Sequence, residues 1–109
     1  MAVLDYVLAE ELARLQRFRS HLSEDMGKLP KGSICIKIKA KRPYAYLSFR
    51  QGKKVVTMYV GAAGNPKVEE ISQRIDSRRK LEADIKAADA SIARIRRMLW
   101  HGDFEKADG

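Results

Sequence analysis

Apolar residues along the chain change period twice, from a helical step to strict alternation and back. Leu4, Leu8, Leu12, Leu15, Phe18 and Leu22 recur three or four residues apart, with Glu and Arg between them, which predicts a helix over residues 3–26. Met26-Gly27 is its expected stop, since glycine suits the left-handed closing position, and Lys28–Gly32 reads as a breaker. Over residues 33–40, Ile34, Ile36 and Ile38 face one way and Cys35, Lys37 and Lys39 the other. Residues 44–50 place Ala45, Leu47 and Phe49 on the isoleucine side, and residues 54–60 add Val56, Met58 and Val60. Helical spacing returns at residue 66, with Asn65 as N-cap, Pro66 as first helical residue and Glu69 and Glu70 in the first turn. That helix is predicted to run to about Trp100 and to stop at His101-Gly102, leaving a loose polar tail over 103–109.

A hairpin loop at Gln51-Gly52 would set Arg50 opposite Lys53, Ser48 opposite Val55, Tyr46 opposite Thr57 and Tyr44 opposite Tyr59. A loop over Ala40–Pro43 would set Lys39 opposite Tyr44 and Lys37 opposite Tyr46. Both registers sort the side chains into one apolar face and one face carrying tyrosine, serine, threonine and basic groups. The predicted architecture is α+β in a single domain: an N-terminal helix, a three-stranded antiparallel meander and a long C-terminal helix.

The second helix is too long for the sheet. About 35 helical residues span roughly 52 Å, against roughly 26 Å for a strand of this length. Its far half carries a seam of Leu81, Ile85, Ala88, Ile92, Ile95 and Leu99 at alternating four- and three-residue steps. Upstream, Val68, Ile71 and Ile75 form a stripe out of phase with the seam, so a stutter falls between residues 75 and 81. The seam needs a partner: the N-terminal helix in the plainest arrangement, or a second copy or another protein.

Charge changes the picture. The 109 residues carry a formal charge of +8. Between Asp25 and Glu69 there is no acidic residue and there are ten basic ones, while the rest of the chain holds twelve basic and fourteen acidic residues. The whole surplus therefore lies on the sheet region, a distribution that suits a polyanion. Lys37, Lys39, Lys41, Arg42, Tyr44, Tyr46, Arg50, Lys53 and Lys54 are the candidate nucleic-acid-binding residues. Lysines neutralise phosphates, tyrosine hydroxyls can donate to them, and rings can stack on unpaired bases. The plainer alternative is that tyrosine and threonine simply favour strands and that edge lysines deter aggregation. Arg74, Arg78, Arg79 and Lys80, and separately Arg94, Arg96 and Arg97, are expected on solvated, salt-bridged helix faces.

Signals for catalysis are poor. His21 and His101 have no fixed carboxylate or cysteine partner, and Cys35 is expected to be a half-buried strand thiol. No paired-cysteine, phosphate-loop or zinc-protease motif occurs, so no enzyme activity, cofactor or metal is expected. A single cysteine, the lack of a basic signal-peptide start and the lack of an apolar run near 20 residues point to a cytoplasmic, non-membrane protein.

Leu29–Gly61, with its Lys-Gly-Ser-Ile, Tyr-x-Tyr-Leu, Gly-Lys-Lys-Val and Tyr-Val-Gly runs, followed by Arg74–Ala88, resembles a family of small uncharacterised prokaryotic proteins. Some relatives carry a cysteine cluster in the first hairpin; this chain lacks it, so the resemblance implies no metal. More distantly, three strands followed by a helix look like the arm-type DNA-binding domains of phage integrases, which read a major groove with their sheet. The function expected is a non-catalytic nucleic-acid-binding module, DNA ahead of RNA and largely sequence-independent. The alternative is a protein-interaction or self-assembly module acting through the long helix, with a homodimer among its forms.

Overall fold

The computed structural model describes residues 3–108, and the side chains of residues 3–100. The order is α1 (Val3–Gly27), β1 (Ser33–Lys39), β2 (Arg42–Gln51), β3 (Lys54–Ala62) and α2 (Pro66–Asp108). The class is α+β, with a three-stranded antiparallel sheet in the order β1-β2-β3. Contacts gather in two compact units, Gly27–Lys80 and Met1–Met26 with Leu81–Gly109.

In the sheet unit, the first hairpin is tighter than the sequence predicts and the second is shifted by one residue. Ala40 and Lys41 form a two-residue turn with positive φ at both positions (51° and 65°), so Arg42 and Pro43 join β2. The second loop is Gly52-Lys53, with Gly52 at φ 65° and Gln51 paired to Lys54. Glycine leading such a loop supplies the positive φ of a type II′ turn, which matches strand twist. Each register is therefore displaced by two residues: Lys37 faces Tyr44, Cys35 faces Tyr46, and Tyr46 faces Tyr59. A shift of two keeps every side chain on its predicted face. Past Tyr46 the ladder slips once more, so that Ala45 faces Gly61 and Tyr44 faces Ala62. Val60 is the extra residue of this β-bulge.

The first turns of α2 lie on the isoleucine side. Ala45 is fully buried, and Val68 and Ile75 are buried with it. Leu47 and Phe49 line a hollow together with Arg78 of α2 and the Leu29–Lys31 loop. Asn65 caps the helix as expected: its Oδ1 accepts from the Lys67 amide at 2.9 Å. The apolar face is only partly covered, however. Ile36, Ile38 and Met58, expected inside, are 53%, 75% and 53% exposed. A helix is about 10 Å wide and strands are spaced about 4.8 Å apart, so one helix over β2 leaves these three side chains of the edge strands uncovered, while Ile34, Val56 and Val60 are half-buried. Because Ile75 anchors this shallow core at 3% exposure, Ile75→Ala is expected to cost about 3 kcal/mol in urea unfolding.

In the helical unit, the seam finds its partner in the same chain. Ile85, Ala88, Ile92 and Ile95 are buried, with Leu81 and Leu99 half-buried. Leu15 packs with Ile92 and Ile95, and Leu8, Leu12 and Leu99 close around them. Arg19 pairs with Asp89. High numbers on α1 thus meet low numbers on α2, so this pair is antiparallel. The helix also passes through His101 and Gly102 to Asp108, where a stop and a loose tail are predicted. One glycine costs a helix only about 1 kcal/mol, and Glu105, Lys106 and Ala107 beyond it are good helix formers.

A candidate nucleic-acid interface

The second sheet face, opposite Ala45, carries Lys37, Lys39, Arg42, Tyr44, Tyr46 and Arg50 by alternation, together with Ser48, Thr57 and Tyr59. The tyrosines form one cluster. Tyr59 meets Tyr46 edge-on at 5.5 Å between ring centroids and lies tilted against Tyr44 at 6.2 Å. Lys37 and Lys39 both bring their ammonium groups over the Tyr46 ring, at 5.1 and 5.3 Å from its centroid. A cation there is attracted by the negative face of the ring, and two strand lysines are held together by it. Tyr44 and Tyr46 are half-buried, while Tyr59 is 60% exposed.

The remaining candidates sit at the two ends of the sheet. Lys41 is in the first turn beside Arg42, which pairs with Lys39. Arg50, Lys53 and Lys54 lie at the other hairpin, with Lys54 on the helix-covered side by alternation. Arg42 and Arg50 are eight residues apart on one strand, roughly 26 Å, so the sequence-predicted residues are spread along the length of the sheet, with Lys37 and Lys39 over Tyr46 between the two ends. Among the described residues, no carboxylate pairs with any of these cations; Arg14–Glu11, Arg19–Asp89 and Arg79–Asp76 are ion pairs elsewhere on the chain.

Two features differ from the sequence reading. Cys35 is exposed rather than half-buried, because it lies on an edge strand. The arginines of α2 near residue 78 do not simply line a solvated helix. Arg78 Nη1 donates to the Leu29 carbonyl at 2.8 Å, and Arg74 Nη2 to that of Lys28 at 3.3 Å. Arg79 Nη2 reaches the Gly32 carbonyl at 3.4 Å and the Ser33 hydroxyl at 3.2 Å. Three guanidinium groups thus hold the loop that enters β1, and satisfy carbonyls which no regular element pairs. Arg78→Ala is expected to cost about 1–2 kcal/mol by denaturant midpoint, the loss of a charge-assisted bond to a half-buried carbonyl.

Tyr59 is the residue that the sequence reading left out of its site. It shares the face with Tyr44 and Tyr46 by alternation, and that signal was sufficient to include it. Arg94, Arg96 and Arg97 are exposed on α2, away from these sheet groups in the chain. Among the described residues, no group of three or more His, Cys, Asp or Glu could hold a metal ion, and no helix is long and apolar enough to cross a membrane.

The chain is thus a helix–meander–helix protein with a basic, tyrosine-bearing sheet face. It belongs to the family described as Domain of unknown function (DUF6788), which matches residues 6–70. The match takes in α1 from Tyr6, the whole sheet and the first turn of α2. No curated protein and no solved structure matches it.

Proposed function

We propose that the chain is a non-catalytic nucleic-acid-binding module of the cytoplasm, with the tyrosine face and the two hairpin ends on the phosphate backbone. The observation that carries this reading is the set of sheet cations, on the face opposite the buried Ala45, that have no carboxylate partner among the described residues. A surface built only for solubility mixes both signs of charge; ten basic and no acidic residues between Asp25 and Glu69 do the opposite. The two arginines of the face, Arg42 and Arg50, stand at opposite ends of β2 with no Asn or Gln beside them on that face, so the binding is largely sequence-independent. DNA is the first candidate ligand and RNA the second.

The test is fluorescence anisotropy against random-sequence duplex DNA, single-stranded DNA and RNA over a salt series. Micromolar affinity with a steep negative salt slope is the expected result. No binding at low salt to any of the three would overturn the reading.

A second reading has one observation behind it. Leu4 and Val7 on α1 and Met98 and Trp100 on α2 are 62%, 54%, 49% and 67% exposed. Such side chains favour docking to a protein or to a second copy. The seam itself is engaged by α1, so an interface of this kind would use the outer helix faces.

A further inference from the structure

We infer that the sheet face takes the backbone of a double-stranded nucleic acid and does not serve as a stacking platform for unpaired bases; this rests on the binding reading above. Proteins that hold single strands pair a basic groove with aromatic faces left open for bases. Here the central ring is already engaged. Tyr46 lies under two ammonium groups, from Lys37 and Lys39. Tyr59 stands edge-on to Tyr46 and tilted against Tyr44, so the three rings brace one another across β2 and β3 and do not share one plane. Tyr44 and Tyr46 are moreover half-buried, and Tyr59, at 60% exposure, is the one open ring of the three. The Tyr46 ring positions cations; it does not offer itself to a base.

Cation placement agrees. The cations run along β2 from the Ala40-Lys41 turn, through Lys37 and Lys39 over Tyr46, to the Gly52-Lys53 turn, roughly 26 Å from end to end. A flexible single strand must have its phosphates ordered along that whole line to meet them. A duplex is rigid over that distance and carries its charge at twice the density, one per about 1.7 Å of axis. The ligand named by these two observations is therefore a duplex bound through phosphates.

The experiment compares a random-sequence DNA duplex, either of its strands alone, and the matching RNA duplex, at one salt concentration and across a series. The duplexes are expected to bind at least about tenfold more tightly than the strands, with a slope near 0.9 per phosphate contacted. Tyr59→Leu is expected to lower duplex and single-strand affinity by the same factor, since it removes a brace beneath the cations and no contact to a base. Tighter binding to a single strand, or a loss on Tyr59→Leu that is about fivefold or more greater for the strand than for the duplex, the worth of one stacked base, overturns this inference and leaves the binding reading standing. Absence of binding to every probe overturns both.

Discussion

Replacing Lys37, Lys39 and Arg50 together by glutamate is expected to weaken duplex binding by about 500-fold at 0.1 M salt. The size follows from counterion release. Each phosphate contact contributes about 0.9 to the slope of log affinity against log salt, so three contacts contribute about 2.7, or 500-fold between 1 M and 0.1 M. The slope itself should fall by the same amount, and this can be read separately from the affinity. Reversal also adds repulsion, which makes the figure a lower bound. Fold loss should stay small, because all three side chains are exposed, none makes an ion pair among the described residues, and only the contacts of Lys37 and Lys39 with the Tyr46 ring are given up. The matched control is Arg94, Arg96 and Arg97 replaced by glutamate, an identical change in net charge on exposed α2 positions. It should cost far less. Equal losses in the two variants would mean that net charge, and not the sheet, attracts the ligand.

Gly32→Ala is expected to be the most damaging single methyl in the chain. Gly32 sits at φ 124°, a backbone conformation that side chains rarely adopt. A Cβ there would lie 2.3 Å from the Ser48 carbonyl oxygen and 3.0 Å from the Phe49 Cβ. The oxygen belongs to the backbone of the central strand, so it cannot move aside as a flexible side chain could. The loop cannot easily retreat either, because Arg79 and Arg78 hold its carbonyls. Strain and overlap together should cost about 3 kcal/mol or more, which for a chain of this size lowers the melting temperature by roughly 12 °C or more. Gly52→Ala is the comparison: its φ is 65° but nothing lies within 4 Å of the added methyl. It should cost only about 1 kcal/mol, for the left-handed backbone alone. If Gly32→Ala melted within a few degrees of the parent, the tight loop-to-strand approach would be wrong.

Much of the fold can be read from spacing alone. Period is a local property: alternate side chains must point to opposite sides of a strand, and every third or fourth to one side of a helix. So Ile36 and Lys37 divide between faces, and Leu81 to Leu99 line one seam, before any partner is known. Even the wrong strand partners left the faces intact, since both registers were displaced by two. Turn placement was not legible in the same way. Ala40-Lys41 adopts positive φ without glycine or asparagine, a cost of about 1–2 kcal/mol per residue that only the neighbouring pairing can offset. The Val60 bulge likewise has no marker of its own in the alternation.

For the candidate site, the sequence by itself determined which charges are present, that none is acidic between Asp25 and Glu69, and which side of the sheet Tyr44, Tyr46 and Tyr59 share. Only the tertiary structure decided what those groups touch. The displaced registers place Tyr59 against Tyr46, and two lysine ammonium groups over one ring. Arg74, Arg78 and Arg79 turn toward loop carbonyls more than forty residues away in the chain. A single helix covers β2 and leaves Ile38 bare. The physical reason is common to all three. Periodicity is set by backbone geometry within a few residues, whereas hydrogen bonds, ring contacts and burial depend on which distant segment arrives, and at what offset.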